Sequence, residues 1–155
     1  MENILIVDDD QAVLEMLSDV IENMGKHPIT ASNGREGLKK FQEHSVDLVI
    51  TDLKMPEMDG DALLKEIKCM DKDAVVLVLT GYPSIDTAVQ TIKDGAYDYL
   101  TKPLRVAEIE VAIARALERK RLAKSLTLFK GANWALIISV PIWLILGILL
   151  ASMLR

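Results

Sequence analysis

Apolar and polar positions between residues 1 and about 122 follow two alternating rhythms, and the alternation runs through five cycles. Each cycle opens with a short apolar run: Asn3 to Val7, His27 to Ala31, Leu48 to Thr51, Val75 to Thr80 and Tyr97 to Thr101. Each run is followed by a stretch with apolar residues three or four apart: Gln11 to Met24, Gly34 to His44, Ala62 to Met70, Ile85 to Lys93, and Val106 onward. The first kind of segment reads as a strand buried on both faces, the second as a helix with one apolar face. Strands alternating with helices predict right-handed crossovers and a parallel sheet with helices on both sides.

The residues between these segments support the same boundaries. Gly25 follows the first helix and Gly95 the fourth, where a glycine terminates a helix. Asn33 and Glu36 form an N-cap and its partner three residues on, and Ser84 precedes the fourth helix. Leu38 with Phe41, and Leu63, Leu64 and Ile67, read as core stripes. Val106, Ile109, Ile113, Leu117 and Leu122 predict an apolar stripe on a fifth helix longer than the fold needs. Residues 123–133, without acid, read as a basic juxtamembrane linker.

A third pattern then takes over. Trp134 to Leu154 is a run of 21 residues without a charge. A bilayer core takes about 20 apolar residues in a helix. Such a run has no polar side to show to water, which predicts a transmembrane tail anchor over 134–154. Pro141 falls inside it, a residue that membrane helices tolerate with a kink. Arg119, Lys120, Arg121, Lys124 and Lys130 lie before the run and only Arg155 after it. The positive-inside rule therefore keeps the body on the cytoplasmic side of the inner membrane. The competing reading is a buried helix or a pairing surface in an oligomer. Ala135, Ser139, Gly147 and Ala151 fall on one four-residue spacing, interrupted by Trp143, and small residues on one face can pack membrane helices.

Charge sharpens this division. The net charge is −5, but residues 1 to 118 hold all 23 acidic residues against 12 basic ones, or −11, and the rest carries +6. An acidic body argues against direct nucleic-acid binding. Cys69 is the single cysteine, which excludes an intramolecular disulfide and suits a reducing compartment. It reads as a small packing residue, and His27 and His44 as surface or packing residues. No signal peptide is expected, since Met1 leads straight into a strand.

The candidate chemistry lies at the strand ends. Ile4 to Val7 runs into Asp8, Asp9 and Asp10; Leu48 to Thr51 runs into Asp52; Tyr97 to Thr101 runs into Lys102. Ligands of open parallel sheets bind outside the carboxyl ends of the strands. Several carboxylates gathered there need a cation, and hard oxygen donors suit Mg²⁺. Asp10 reads instead as a cap or a solvent-facing residue.

Asp52-Leu-Lys-Met-Pro-Glu-Met-Asp-Gly60, together with Asp8-Asp9, Thr80-Gly81 and Lys102-Pro103, resembles the receiver domain of two-component response regulators, closest to nitrogen-regulator-type receivers. The resemblance covers residues 2 to about 122. It implies a flavodoxin-like five-stranded parallel sheet in the order 2-1-3-4-5, and a receiver domain over 1–122. It implies that Asp52 accepts a phosphoryl group from a sensor histidine kinase or a histidine phosphotransfer protein. Asp9 and Asp52 would bind Mg²⁺ directly, Asp8 through water, and Lys54 through its backbone carbonyl. Lys102 would hold a phosphoryl oxygen, Thr80 would bond another, and Tyr99 would switch with Thr80. Lys54 and Tyr82 match flanking positions that tune phosphoryl lifetime, and the bond before Pro103 would be cis. A homodimer through the fourth helix, fifth strand and fifth helix is a further implication. The protein so implied is a signalling phosphoacceptor rather than an enzyme. A phosphate shuttle or sink, and a scaffold that takes no phosphate, are the competing readings.

Overall fold

The computed structural model describes residues 1–124. The predicted span 134–154, and all but the first two residues of the predicted linker 123–133, lie outside the described residues. Among the described residues no helix is long and apolar enough to cross a membrane. The chain divides into two compact units, Met1–Lys120 and Arg121–Arg155, and the sheet belongs to the first.

The order of elements is β1 (Asn3–Val7), α1 (Gln11–Asn23), β2 (His27–Ala31), α2 (Gly34–Glu43), β3 (Leu48–Asp52), α3 (Gly60–Met70), β4 (Val76–Thr80), α4 (Ile85–Lys93) and β5 (Asp98–Thr101). Residues 106–124 are helical and form α5. All strand pairs are parallel, in the order β2-β1-β3-β4-β5. This is the flavodoxin-like sheet that the sequence implies, with boundaries within about two residues of those expected.

Alternating side chains of the strands feed two cores. Ile4, Ile6, Ile50, Leu77 and Leu79 pack with Leu17 and Ile21 of α1 and with Ile109 and Ile113 of α5. Leu5, Val7, Val49, Val76 and Val78 pack with Leu63, Leu64 and Ile67 of α3. A strand apolar at every position therefore serves both faces of the sheet, as its unbroken pattern requires.

Caps explain where the helices begin. Asp10, Asn33, Asp59 and Ser84 each accept a backbone N–H two or three residues on. Glu36 does not complete a reciprocal box with Asn33. It accepts the backbone N–H and the hydroxyl of Ser32 instead. Gly25 and Gly95 take positive φ, +70° and +104°, which suits only glycine at low cost.

Three expectations need correction. Val106 and Leu122 are half exposed and do not belong to the buried stripe of α5. Ala112 and Ala116 take that face with Ile109, Ile113 and Leu117. Helical rotation set by the sheet selects small residues where the helix lies close. Cys69 is exposed on α3 rather than packed, because the buried face runs through Leu63, Leu64 and Ile67.

Candidate functional site

Register brings the strand ends level. Val7 pairs with Thr51, Thr51 with Val78, and Thr80 with Thr101. Asp8 and Asp52 therefore leave adjacent strands at the same height, and Lys102 leaves β5 two strands away. Asp8, Thr51, Asp52 and Thr80 are all buried, at 0%, 0%, 5% and 1% exposure. Among the described residues, four of the five buried polar or charged ones thus crowd one edge of the sheet.

The Lys102 ammonium joins the two acids. Its Nζ lies 2.8 Å from Asp8 Oδ2 and 2.7 Å from Asp52 Oδ1. The opposite carboxylate oxygens are held by the backbone. Asp8 Oδ1 accepts the N–H of Asp10 at 3.0 Å, and Asp52 Oδ2 accepts the N–H of Lys54 at 2.7 Å. Both are aspartate turns that close two residues on. Each carboxylate is thus fixed at both ends, with one oxygen on the lysine. Lys102 is itself placed by β4, because its N–H donates to the Thr80 carbonyl at 2.7 Å. The Lys102–Pro103 bond is cis.

Burial and charge pull in opposite directions here. Burial raises the Asp8 carboxyl above the usual range, against the lowering effect of the Lys102 and Asp10 hydrogen bonds. Burial also depresses Lys102, but its hydrogen bonds to Asp52 and Asp8 outweigh that, and the ammonium ends above its ordinary value. Two carboxylates against one ammonium leave the pocket short of positive charge.

The loop after Asp52 is built close. A Cβ on Gly60 would stand 2.0 Å from the Asp52 carbonyl oxygen, so only glycine fits. The Gly60 N–H donates to the Leu53 carbonyl, and Glu57 takes a left-handed φ of 66°. Backbone strain of this kind is costly for a residue with a side chain, at about 1–3 kcal/mol.

Of the expected residues, the structure brings Asp8, Asp52 and Lys102 into contact. Thr80 is on the same edge, its Oγ1 accepting the Tyr82 N–H at 3.1 Å. Tyr99 packs against the α3-side core, and its hydroxyl is buried without a hydrogen-bond partner among the described residues. Asp9 and Lys54 are exposed beside the pocket, and Tyr82 is 84% exposed. His27 and His44 are exposed and remote. The N–H of Lys54 as a holder of Asp52 was not read from the sequence, which offered its carbonyl for the metal and its side chain as a flanking group. An aspartate opening a loop is the signal for it.

Among the described residues, no three His, Cys, Asp or Glu side chains stand close enough to hold a metal ion unaided. The donor set expected for Mg²⁺ puts only two of its three carboxylates, Asp9 and Asp52, directly on the ion, and adds a backbone carbonyl and a water that carries Asp8. Hard oxygens in a pocket short of positive charge fit that ion.

Residues 4–114 match the response regulator receiver domain family, and the chain belongs to it. It is 42% identical over 123 residues to the transcriptional regulatory protein ZraR of Klebsiella oxytoca, covering 79% of this chain and 28% of that protein. It is 36% identical to the regulatory protein AtoC of Escherichia coli K12, covering 81% and 27%. The chain thus spans about a quarter of the curated relatives it matches. A response regulator receiver domain of Clostridium thermocellum superposes with a TM-score of 0.75 at 38% identity, covering 79% of this chain and 99% of that one. The beryllofluoride-activated NtrC4 receiver domain dimer superposes at 0.74 and 40%, covering 77% and 99%.

Proposed function

We propose that this protein is a phosphoacceptor response regulator tethered to the cytoplasmic face of the inner membrane. The observation that carries the phosphoacceptor part is the Lys102 ammonium held between Asp8 and Asp52 at one sheet edge. Asp52 is the acceptor. A carboxylate oxygen of Asp52 attacks phosphorus and forms an O–P bond as the P–N bond to a donor imidazole breaks. The bonding pair leaves with the imidazole nitrogen, which takes up a proton from solvent. Lys102 holds a phosphoryl oxygen as a point charge, and Thr80 donates its hydroxyl to another. Asp8, Asp9, Asp52 and the Lys54 carbonyl would hold Mg²⁺, which neutralises charge on the transferring group when bound.

The acyl phosphate shifts Thr80 and with it Tyr99, whose unpartnered hydroxyl gains a reason to move. The response is a change in partner docking or dimerisation through α4, β5 and α5, where Ile85, Val89, Ile92, Val106 and Val111 are exposed. A sensor histidine kinase or a histidine phosphotransfer protein is the donor. The chain is a signalling acceptor, not an enzyme with a separate substrate. The tether rests on the uncharged run from Trp134 to Leu154.

Incubating the full chain with acetyl phosphate and Mg²⁺ tests the acceptor. Intact mass should gain one phosphoryl group, and Asp52→Asn should gain none. Equal uptake by Asp52→Asn would remove Asp52 from the role. An alkaline carbonate wash of membranes tests the tether. The full chain should stay with the membrane and a chain ending at Lys124 should be soluble; extraction of both would refute the anchor.

A further inference from the structure

Asp94 is badly placed for a carboxylate. It caps the C-terminal end of α4, where the last carbonyls leave partial negative charge. Its side chain is only 16% exposed. One oxygen, Oδ1, accepts from the Gln90 amide at 2.8 Å. The other, Oδ2, is buried and accepts no hydrogen bond among the described residues. Its compensation comes from α3: the Lys65 ammonium stands 3.4 Å away. That ammonium is also 2.6 Å from Asp61 on its own helix. One lysine therefore serves two acids, the nearer on α3 and the farther on α4.

Helix α4 has little else to hold it. Thr91 is its one fully buried residue among the described residues. Between its inner face and the start of α3 lies a cavity of about 380 Å³, lined among others by Leu53, Lys54, Asp61, Thr87, Gln90 and Thr91. Leu53 and Lys54 follow Asp52 directly, and the Lys54 N–H holds the Asp52 carboxylate. The cavity thus has the loop of the acceptor on one wall and α4 on the other. The cavity opens to solvent, so a helix beside it can shift without compressing its neighbours.

We propose that Lys65 and Asp94 form a latch that holds the C-terminal end of α4 to α3, and that transfer of the ammonium wholly to Asp61 releases it. The proposal rests on the phosphoacceptor reading for what triggers release. Lys65 is a positioning residue: it touches neither Asp52 nor Lys102, and acts only through α4. A sheltered carboxylate at the negative end of a helix is stable only with its counter-charge, so losing Lys65 loosens the last turn. The Asp61 pair gives the lysine somewhere to go, which makes the arrangement two-state.

Hydrogen exchange on the full chain tests it, with and without beryllofluoride and Mg²⁺. Without additive, Lys65→Gln and Asp94→Asn should speed exchange of α4 amides roughly three- to fivefold, the scale of one ion pair, while β1 and β3 stay unchanged. Lys65→Arg should keep the wild-type pattern. The opposite result for Asp94→Asn, slower or unchanged exchange in α4, is what relief of the helix end alone predicts, and it overturns the latch. With beryllofluoride, wild-type α4 should rise to the level of Lys65→Gln, and Lys65→Gln should rise no further. A full additional response in Lys65→Gln also overturns the latch. If wild-type exchange ignores beryllofluoride everywhere, the phosphoacceptor reading fails, and the variants without additive still decide whether the pair holds α4.

Discussion

The centre of the sheet and its β5 side are built differently. All five residues of β3 and of β4, two central strands, are buried, and α1 and α3 each present four buried residues to the core. At the β5 side, no residue of β5 is fully buried, and α4 leaves Ile85, Val89 and Ile92 to solvent. Asp8 and Asp52 stand on the tightly packed centre. Lys102 reaches them from the loose side. The ion triad therefore straddles a boundary in packing, and its acids are held in place while its cation is carried by the part with freedom to respond. Regions that move in signalling come from the less stable end of a structure, and here the division runs through the site itself.

The contrast can be broken by truncating each side. Ile50→Ala, in a residue 1% exposed, should cost about 3–4 kcal/mol in urea unfolding, as buried large-to-small changes do. Ile85→Ala, 83% exposed, should stay within about 0.5 kcal/mol. A comparable loss at both positions would show that α4 is packed as firmly as β3.

Gly60→Ala should have the next largest effect. The new Cβ meets a backbone oxygen that cannot turn away, so stability should fall by about 1–3 kcal/mol and phosphoryl uptake by Asp52 with it. Unchanged uptake would mean that the loop can shift without disturbing the acceptor.

The cation from the loose side has a signature in alkali. The Lys102 ammonium is raised above 10.5 in the fold, so its contribution is complete below that pH. It is lost as pH climbs through the raised value. Wild-type stability should fall over that range, and Lys102→Met should lack this part of the fall. An identical alkaline profile for the two would place the lysine outside the ion triad in solution.

The smallest expected effect lies far from the site. Lys40, with the Ser32 backbone and hydroxyl, holds the Glu36 carboxyl down at about 2, from 4.5. A lowered acid stabilises the fold above its unfolded value and loses that contribution as pH falls from 4.5 towards 2. Glu36 is more than a third exposed, so screening keeps the amount under about 1 kcal/mol. Glu36→Gln should flatten the acid limb of the stability curve by that much, read from unfolding midpoints across the range.

Part of this architecture is local and could be read residue by residue. An apolar run as short and as rich in valine as Val75 to Thr80 reads as a strand buried on both faces. Asp10, Asn33, Asp59 and Ser84 cap helices through atoms two or three positions away. Asp8, Asp52, Thr80 and Lys102 were legible as candidates because each sits at a strand end, and strand ends are visible in a linear pattern.

What no linear pattern contains is which face of a helix meets the sheet and which strand lies beside which. Ala112 and Ala116 are core and Val106 and Leu122 are not, because the rotation of α5 follows from the surface it packs on. Cys69 is outside for the same reason on α3. Asp94 drew no notice as a residue in a turn, and its isolation depends on Lys65, 29 positions earlier on another helix. The sequence by itself determined the elements, their order and the residues able to do the chemistry, since those follow from side-chain period and local hydrogen bonding. Only the tertiary structure decided that Lys102 would lie within 2.8 Å of Asp8 and 2.7 Å of Asp52. That contact depends on the strand order and register of the whole sheet, and hence on every strand pair at once.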